Sequence, residues 1–334
     1  MSKFGKMAQI FVSSVDSGLA GAVQKLLPSV NVVTVDRNQS DALTASDKKS
    51  IEENAEILLA DTPVIMDVAY TAKKLKWAAS TWAGVETLIK EIGKEKPPSF
   101  TITRMGGAFN RFMAEYVLGY VLTKERSIIE VAKDQEQRMW NKKKYSHYRS
   151  LTDLTIGILG VGEIGQEVAR LCNASGMKVI GVTRSQPSEE KRCPAVSQYR
   201  TTSELAEVLR DSDYVCNILP STPETRGLLS GDMFSHCRPK KSVFINMGRG
   251  DVIDEQSLVK AIREEWICGA VLDVFQTEPL PEESPLWNLP GVIITPHIAG
   301  VCLTNQVAEN FVENYKLYCE NKPLKFQVDF QRGY

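Results

Sequence analysis

Four short stretches of this sequence carry groups that could act together: Gly157-Ile-Leu-Gly-Val-Gly-Glu-Ile-Gly165, Gly248-Arg249-Gly250, Glu278-Pro279 and Thr295-Pro296-His297. In that order they offer a glycine turn that can cradle a phosphate, a guanidinium for an anionic substrate, a carboxylate, and an imidazole able to move a proton near neutral pH. These are the parts that hydride transfer needs. Taken singly, Arg249 reads as a surface arginine and Glu278 as a turn residue; their joint occurrence carries the argument. Of the three histidines, His147 lies in a polar Lys-Tyr-Ser-His-Tyr-Arg run and His236 precedes Cys237-Arg-Pro, and both are expected at the surface. His297 differs: it follows an apolar run at 292–295, so it stands at a strand end, where α/β proteins build their sites.

The elements that must position these groups follow from periodicity. Residues 155–160 read as a buried strand and 166–174 as the helix after it, with Gly160, Gly162 and Gly165 at the G-x-G-x-x-G spacing between them. That spacing suits a tight turn, a close backbone approach to a pyrophosphate and close helix packing, with the helix amino terminus facing the phosphate. Strands at 178–182, 214–219, 242–247, 268–275 and 292–295 follow, with helices at 203–210 and 256–264 whose starts are signalled by Thr201…Glu204 and Asp254.

Upstream, strand-like runs at 9–12, 30–35, 55–60, 75–81 and 101–104 alternate with helical patterns at 18–27 and 47–54. A charged, proline-containing turn at 94–98 and a long helical pattern at 109–126 mark a boundary; a second polar helix is expected to run on to Lys144, and a strand to cover 151–159. A last helix at 304–320 has no strand beyond it, so the chain is expected to leave its first domain, build a second and return. The expected fold class is α/β: two Rossmann-like domains with parallel sheets, the dinucleotide-binding domain (104–296) inserted into a flavodoxin-like substrate domain (1–103 and 297–334).

Composition narrows the partners. At 334 residues the chain exceeds what one core usually supports, and 43% hydrophobic with 24% charged residues is ordinary for a globular protein. A net charge of −1 and a pI of about 6.4 give no reason to expect nucleic acid or an acidic membrane. No run approaches the roughly 18 apolar residues of a membrane span, and the amino terminus lacks a leader pattern, so a cytoplasmic protein is expected. Seven cysteines, scattered and never spaced C-x-x-C, are expected as reduced thiols, and no metal site is expected.

The strand after the glycine turn ends in Thr183-Arg184-Ser185, where an NAD site usually offers a carboxylate to the ribose. A guanidinium flanked by hydroxyls suits a 2′-phosphate, so NADP(H) is expected over NAD(H), with NAD(H) still able to bind.

Beyond the motifs already quoted, Lys74-Leu-Lys-Trp-Ala-Ala-Ser-Thr-Trp-Ala-Gly-Val85, Met113-Ala-Glu-Tyr-Val-Leu-Gly119, Leu219-Pro-Ser-Thr-Pro-Glu-Thr-Arg226, Phe244-Ile-Asn-Met-Gly-Arg-Gly250 and Gly269-Ala-Val-Leu-Asp-Val-Phe275 complete a set. From about residue 70 to 300 the chain resembles the D-isomer-specific 2-hydroxyacid dehydrogenases, in particular their glyoxylate/hydroxypyruvate reductase branch. The resemblance implies that Arg249 binds the carboxylate and C2 oxygen of a small 2-keto acid, that His297 donates the proton as general acid, and that Glu278 pairs with it. A carboxylate beside an imidazole favours the imidazolium, the form that can donate.

It further implies that Asp273 orients the nicotinamide carboxamide, and that Glu163, Ile164, Leu219, Pro220, Thr225, Met247, Gly248 and Gly300 join the glycine turn and Thr183 to Ser185 around the cofactor. Backbone amides of Ala83 and Gly84 would hold the substrate carboxylate in an interdomain cleft, with Trp82 beside them. Trp82 and Trp140 read equally as packing residues or as contacts to substrate or a partner subunit. A homodimer is implied.

Two other readings remain. One is a cofactor-sensing interaction protein of the corepressor type, disfavoured by the lack of low-complexity sequence up to Tyr334. The other is the same chemistry on another small acid, such as formate or phosphite.

Overall fold

The computed structural model describes residues 9–37, 42–92, 96–301 and 303–331. Residues 1–8, Cys302 and the first part of the expected 94–98 turn lie outside them. The chain divides into two compact units, residues 1–108 with 302–334, and residues 109–301.

In the first unit, strands and helices alternate: β1 (Ile10–Ser13), α1 (Leu19–Leu26), β2 (Val32–Thr34), α2 (Ala45–Asn54), β3 (Ile57–Ala60), α3 (Thr62–Val68), β4 (Trp77–Ser80), α4 (Glu86–Ile92) and β5 (Thr101–Thr103). The five strands form one parallel sheet in the order β2-β1-β3-β4-β5, the flavodoxin-like arrangement. Strands β1, β3 and β4 are buried along their whole length, as expected of a sheet covered on both faces. One cover is the last helix of the chain, Thr304–Cys319, whose Phe311 stacks on Trp77 at 5.0 Å between ring centroids.

The second unit contains α5 (Asn110–Glu125), α6 (Ile128–Glu136), β6 (Thr155–Leu159), α7 (Glu163–Ala174), β7 (Lys178–Thr183), β8 (Gln198–Thr201), α8 (Leu205–Asp211), β9 (Tyr214–Asn217), β10 (Val243–Asn246), α9 (Glu255–Arg263), β11 (Gly269–Leu272) and β12 (Val292–Ile294). Its seven strands form a parallel sheet in the order β12-β11-β10-β9-β6-β7-β8, in which chain order reverses at β6. Alternate strand residues feed two cores: Ile156, Ile158, Cys216 and Ile245 pack on one face, and Leu159, Val215, Phe244 and Leu272 on the other. α7 seals the first face with Gly165, Val168, Ala169 and Cys172, spaced at i, i+3, i+4 and i+7.

Several expectations are corrected. Both crossings between units fall five residues later than expected, which places His297 in the second unit, where its N–H donates to Asp273 O at 2.9 Å. The helix expected to reach Lys144 stops at Glu136, because the buried Asp134 carboxylate accepts from Asn141 Nδ2 (2.7 Å) and Tyr145 OH (2.8 Å) and pulls the following segment back. Residues 151–153 form a 3-10 turn before β6 begins. Helices α3 and α4 and the edge strand β8 join the expected elements. His236 is half-buried rather than at the surface.

Candidate active site

Because all seven strands of the second sheet run parallel, the loops that leave their carboxyl ends emerge along one edge. Six of those loops carry the candidate residues: Gly160 to Gly165 after β6, Thr183 to Ser185 at the end of β7, Leu219 to Thr225 after β9, Met247 to Arg249 after β10, Asp273 to Glu278 after β11 and Thr295 to Gly300 after β12. Ligands of open α/β sheets bind at this edge, at the strand where chain order reverses.

The three fingerprint glycines act differently. Gly160 has φ +100°, a backbone state that side chains rarely adopt. A Cβ on Gly162 would meet nothing within 4 Å, so the turn presents bare backbone outward. A Cβ on Gly165 would stand 2.1 Å from Gly160 O, so only glycine lets α7 pack this close to β6. No side chain caps α7, which leaves its first-turn amides for an anion. These features fit a dinucleotide pyrophosphate. Gly165→Ala is expected to cost about 1–3 kcal/mol of stability and to weaken nucleotide binding, read by thermal unfolding and by NADPH fluorescence titration.

The Arg249 loop is held from below. Asn217 and Asn246, both essentially fully buried at the ends of β9 and β10, share a hydrogen bond of 2.9 Å from Asn217 Nδ2 to Asn246 Oδ1. Asn246 Nδ2 then donates to Arg249 O at 3.1 Å, and Leu219 N donates to Asn217 Oδ1 at 3.2 Å. A Cβ on Gly250 would lie 2.0 Å from the Phe275 carbonyl carbon, so this loop also rests against the chain leading to Glu278. Arg249 is half-buried, and its Nη1 donates to Gly248 O at 2.7 Å. Neither asparagine was singled out from sequence; a polar residue closing each of two apolar strands was the available signal.

Glu278 and His297 meet. Glu278 Oε1 accepts from Phe275 N at 2.9 Å, while Oε2 lies 2.7 Å from His297 Nδ1. The carboxylate is thereby fixed at both oxygens. With Nδ1 engaged by Glu278, Nε2 is the imidazole nitrogen left to exchange a proton with a ligand, and the side chain is 55% exposed. His297 has φ +55°, a left-handed state that a non-glycine residue holds only when its surroundings impose it.

Asp273 imposes it. Its carboxylate, 1% exposed, accepts from Thr295 Oγ1 at 2.6 Å, Ile298 N at 2.8 Å and Ala299 N at 2.9 Å, so it clamps the chain on both sides of His297. The carboxylate expected to orient a nicotinamide thus also braces the loop that carries the imidazole. Tyr116 OH reaches Thr295 Oγ1 at 2.7 Å, and burial pushes its phenol well above the ordinary range, so it stays neutral.

The remaining residues divide. Arg184 is exposed, with its guanidinium 3.8 Å from the Glu224 carboxylate. Thr225 Oγ1 donates to Pro220 O at 2.6 Å and so closes the 220–225 turn. Met247 is 3% exposed within a core cluster, so its side chain serves packing and its backbone alone is available to a ligand. Gly300 packs on Met113 and Phe109. Trp82, Ala83 and Gly84 lie in the first unit, in the turn after β4. Trp140 is 93% exposed. Among the described residues, no cluster of three or more His, Cys, Asp or Glu could hold a metal, and no helix is long and apolar enough to cross a membrane.

A glycine cradle at the reversal strand of a 3-2-1-4-5-6-type sheet, with a carboxylate-held imidazole and an arginine on the same edge, defines an NAD(P)-dependent oxidoreductase. Residues 118–299 match the model of the D-isomer specific 2-hydroxyacid dehydrogenase NAD-binding domain, and the chain belongs to that family. A glyoxylate/hydroxypyruvate reductase A of Photorhabdus laumondii is 32% identical over 256 residues, covering 75% of this chain and 79% of the relative.

Solved structures agree. A D-isomer specific 2-hydroxyacid dehydrogenase from Xanthobacter autotrophicus in complex with NADPH and MES has a TM-score of 0.84 and 32% identity, covering 99% of this chain and 100% of that one. An NADPH-dependent glyoxylate/hydroxypyruvate reductase from Sinorhizobium meliloti, in complex with NADP and sulfate, has a TM-score of 0.81 and 25% identity, covering 98% of this chain and 100% of the other.

Proposed function

We propose that this chain reduces small 2-keto acids, glyoxylate or hydroxypyruvate among them, to D-2-hydroxy acids with NADPH, and that His297 is the general acid. The observation that carries the reading is the 2.7 Å contact between His297 Nδ1 and Glu278 Oε2 at the carboxyl edge of the dinucleotide sheet. Bound NADPH would supply the hydride that adds to C2 of the keto acid. The protein's residues do the rest. Arg249 binds the carboxylate and C2 oxygen, placing fixed positive charge where negative charge develops. His297 Nε2 gives its proton to that oxygen, and Glu278 holds the ring in place for the transfer. The amides of Ala83 and Gly84 are assigned to the substrate carboxylate.

NADPH preference rests on Arg184 at the end of β7, where 183–185 offers a guanidinium and two hydroxyls and no carboxylate. Relatives solved with NADPH or NADP support the same choice. Arg184→Ala is expected to raise KM for NADPH about tenfold while leaving KM for NADH within about twofold, consistent with loss of one charge-assisted contact. Initial rates with both cofactors check it; an unchanged preference removes the phosphate role. The function as a whole is tested by the loss of NADPH absorbance over a panel of small 2-keto acids. Nucleotide binding without turnover on any of them would reject it. A homodimer in the cytoplasm is the proposed setting, checked by light scattering and cell fractionation.

A further inference from the structure

The first unit contains a buried ion pair that the reaction scheme does not use. Asp61 follows β3 and stands at the amino end of α3, where an aspartate ordinarily caps the helix, yet its side chain makes no capping bond. Its carboxylate, 1% exposed, turns to the carboxyl edge of the sheet. There it pairs with the Arg37 guanidinium, whose side chain is 7% exposed, and accepts from Ser14 Oγ and Val15 N, each at 2.9 Å, and from Thr81 Oγ1. Those donors come from the loops after β1 and β4, and Arg37 from beyond β2, so one carboxylate ties four successive loops of the sheet around its own reversal point between β1 and β3.

Thr81 is the residue immediately before Trp82, Ala83 and Gly84. The same turn is fixed again one residue earlier: Ser80 Oγ accepts from Trp82 N at 3.0 Å and bonds Thr62 Oγ1 at 2.8 Å. Met105 N then donates to Trp82 O at 2.9 Å. A buried ion pair is an expensive way to hold a fold together, because desolvation offsets most of the Coulomb attraction. Placing one where it also holds the turn after β4 suits a need for fixed orientation, since amides that receive a carboxylate must already point correctly.

We propose that Asp61, held by Arg37, is a positioning residue that sets the Ala83 and Gly84 amides for the substrate carboxylate through its bond from Thr81. This rests on the assignment of that carboxylate to those amides. Removing Asp61 or Arg37 strands the other charge and risks the fold, so the informative change is at Thr81, which loses one bond and keeps the pair.

Thr81→Val is expected to raise KM for glyoxylate about tenfold with kcat within about twofold and NADPH affinity unchanged, a loss of uniform substrate binding. Thr81→Ser keeps the hydroxyl and is expected to restore KM, which a purely steric or structural role for the threonine would not produce. Ala83→Pro, which deletes an amide, separates the two claims. KM raised in Ala83→Pro but unmoved in Thr81→Val overturns the positioning role alone. KM unmoved in Ala83→Pro overturns the carboxylate assignment and the positioning role with it.

Discussion

His297→Ala lowers kcat for keto-acid reduction by about 10²–10⁴-fold, the usual contribution of a positioned general acid, while NADPH binds as before. The separation follows from where the atoms lie. The His297 side chain is 55% exposed and shares no hydrogen bond with the glycine turn, α7 or the 183–185 segment, so its removal leaves the cradle intact. Its backbone position is fixed independently of its side chain, by His297 N donating to Asp273 O and by the Asp273 carboxylate gripping Ile298 N and Ala299 N. Alanine therefore removes the proton donor without releasing the loop. Stopped-flow single turnovers and fluorescence titration measure the two quantities separately. Turnover retained within tenfold would remove His297 from the acid role.

Arg249→Lys is the second large effect, a fall in kcat/KM of about 10- to 100-fold, equivalent to about 1.4–2.7 kcal/mol for a lost charge-assisted bond. Charge is conserved, so a merely electrostatic role would survive the change. Geometry is what lysine lacks. In the structure one arm of the guanidinium is committed to Gly248 O at 2.7 Å, and a planar fork can keep that bond while presenting parallel donors to a carboxylate. A single ammonium cannot do both. The backbone beneath it is braced by Asn246 and by the packing of Gly250 on Phe275, so the substituted residue starts from the same place. Steady-state kinetics on glyoxylate measure the result, and near-native kcat/KM in Arg249→Lys would mean that Arg249 is no clamp.

The parts that could be read from the chain alone are those whose signal is local. Gly160, Gly162 and Gly165 sit between an apolar run and an amphipathic helix, and Arg249, Glu278 and His297 each follow an apolar run, so strand ends and candidate chemistry coincide in a few residues of sequence. What escaped depends on neighbours that only folding supplies. Asn217 and Asn246 meet because β9 and β10 are adjacent, although the two residues are 29 positions apart in sequence. Asp61 finds Arg37, Ser14 and Thr81 for the same reason. α6 ends where it does because Asp134 captures residues 7 and 11 positions later, which helical periodicity cannot register. Asp273 was legible only in part: its place after β11 could be read, but its three protein donors come from the loop after β12, so its bracing of the histidine loop left no local signal.

One measurement bears on hydride transfer, substrate class and stereochemistry at once. Hydroxypyruvate is incubated with the protein and NADPH carrying deuterium at its transferable position, and the product is analysed for configuration and isotope. The proposed function predicts D-glycerate bearing one deuterium at C2. An L product, a product without the label, or NADPH recovered unchanged would contradict it.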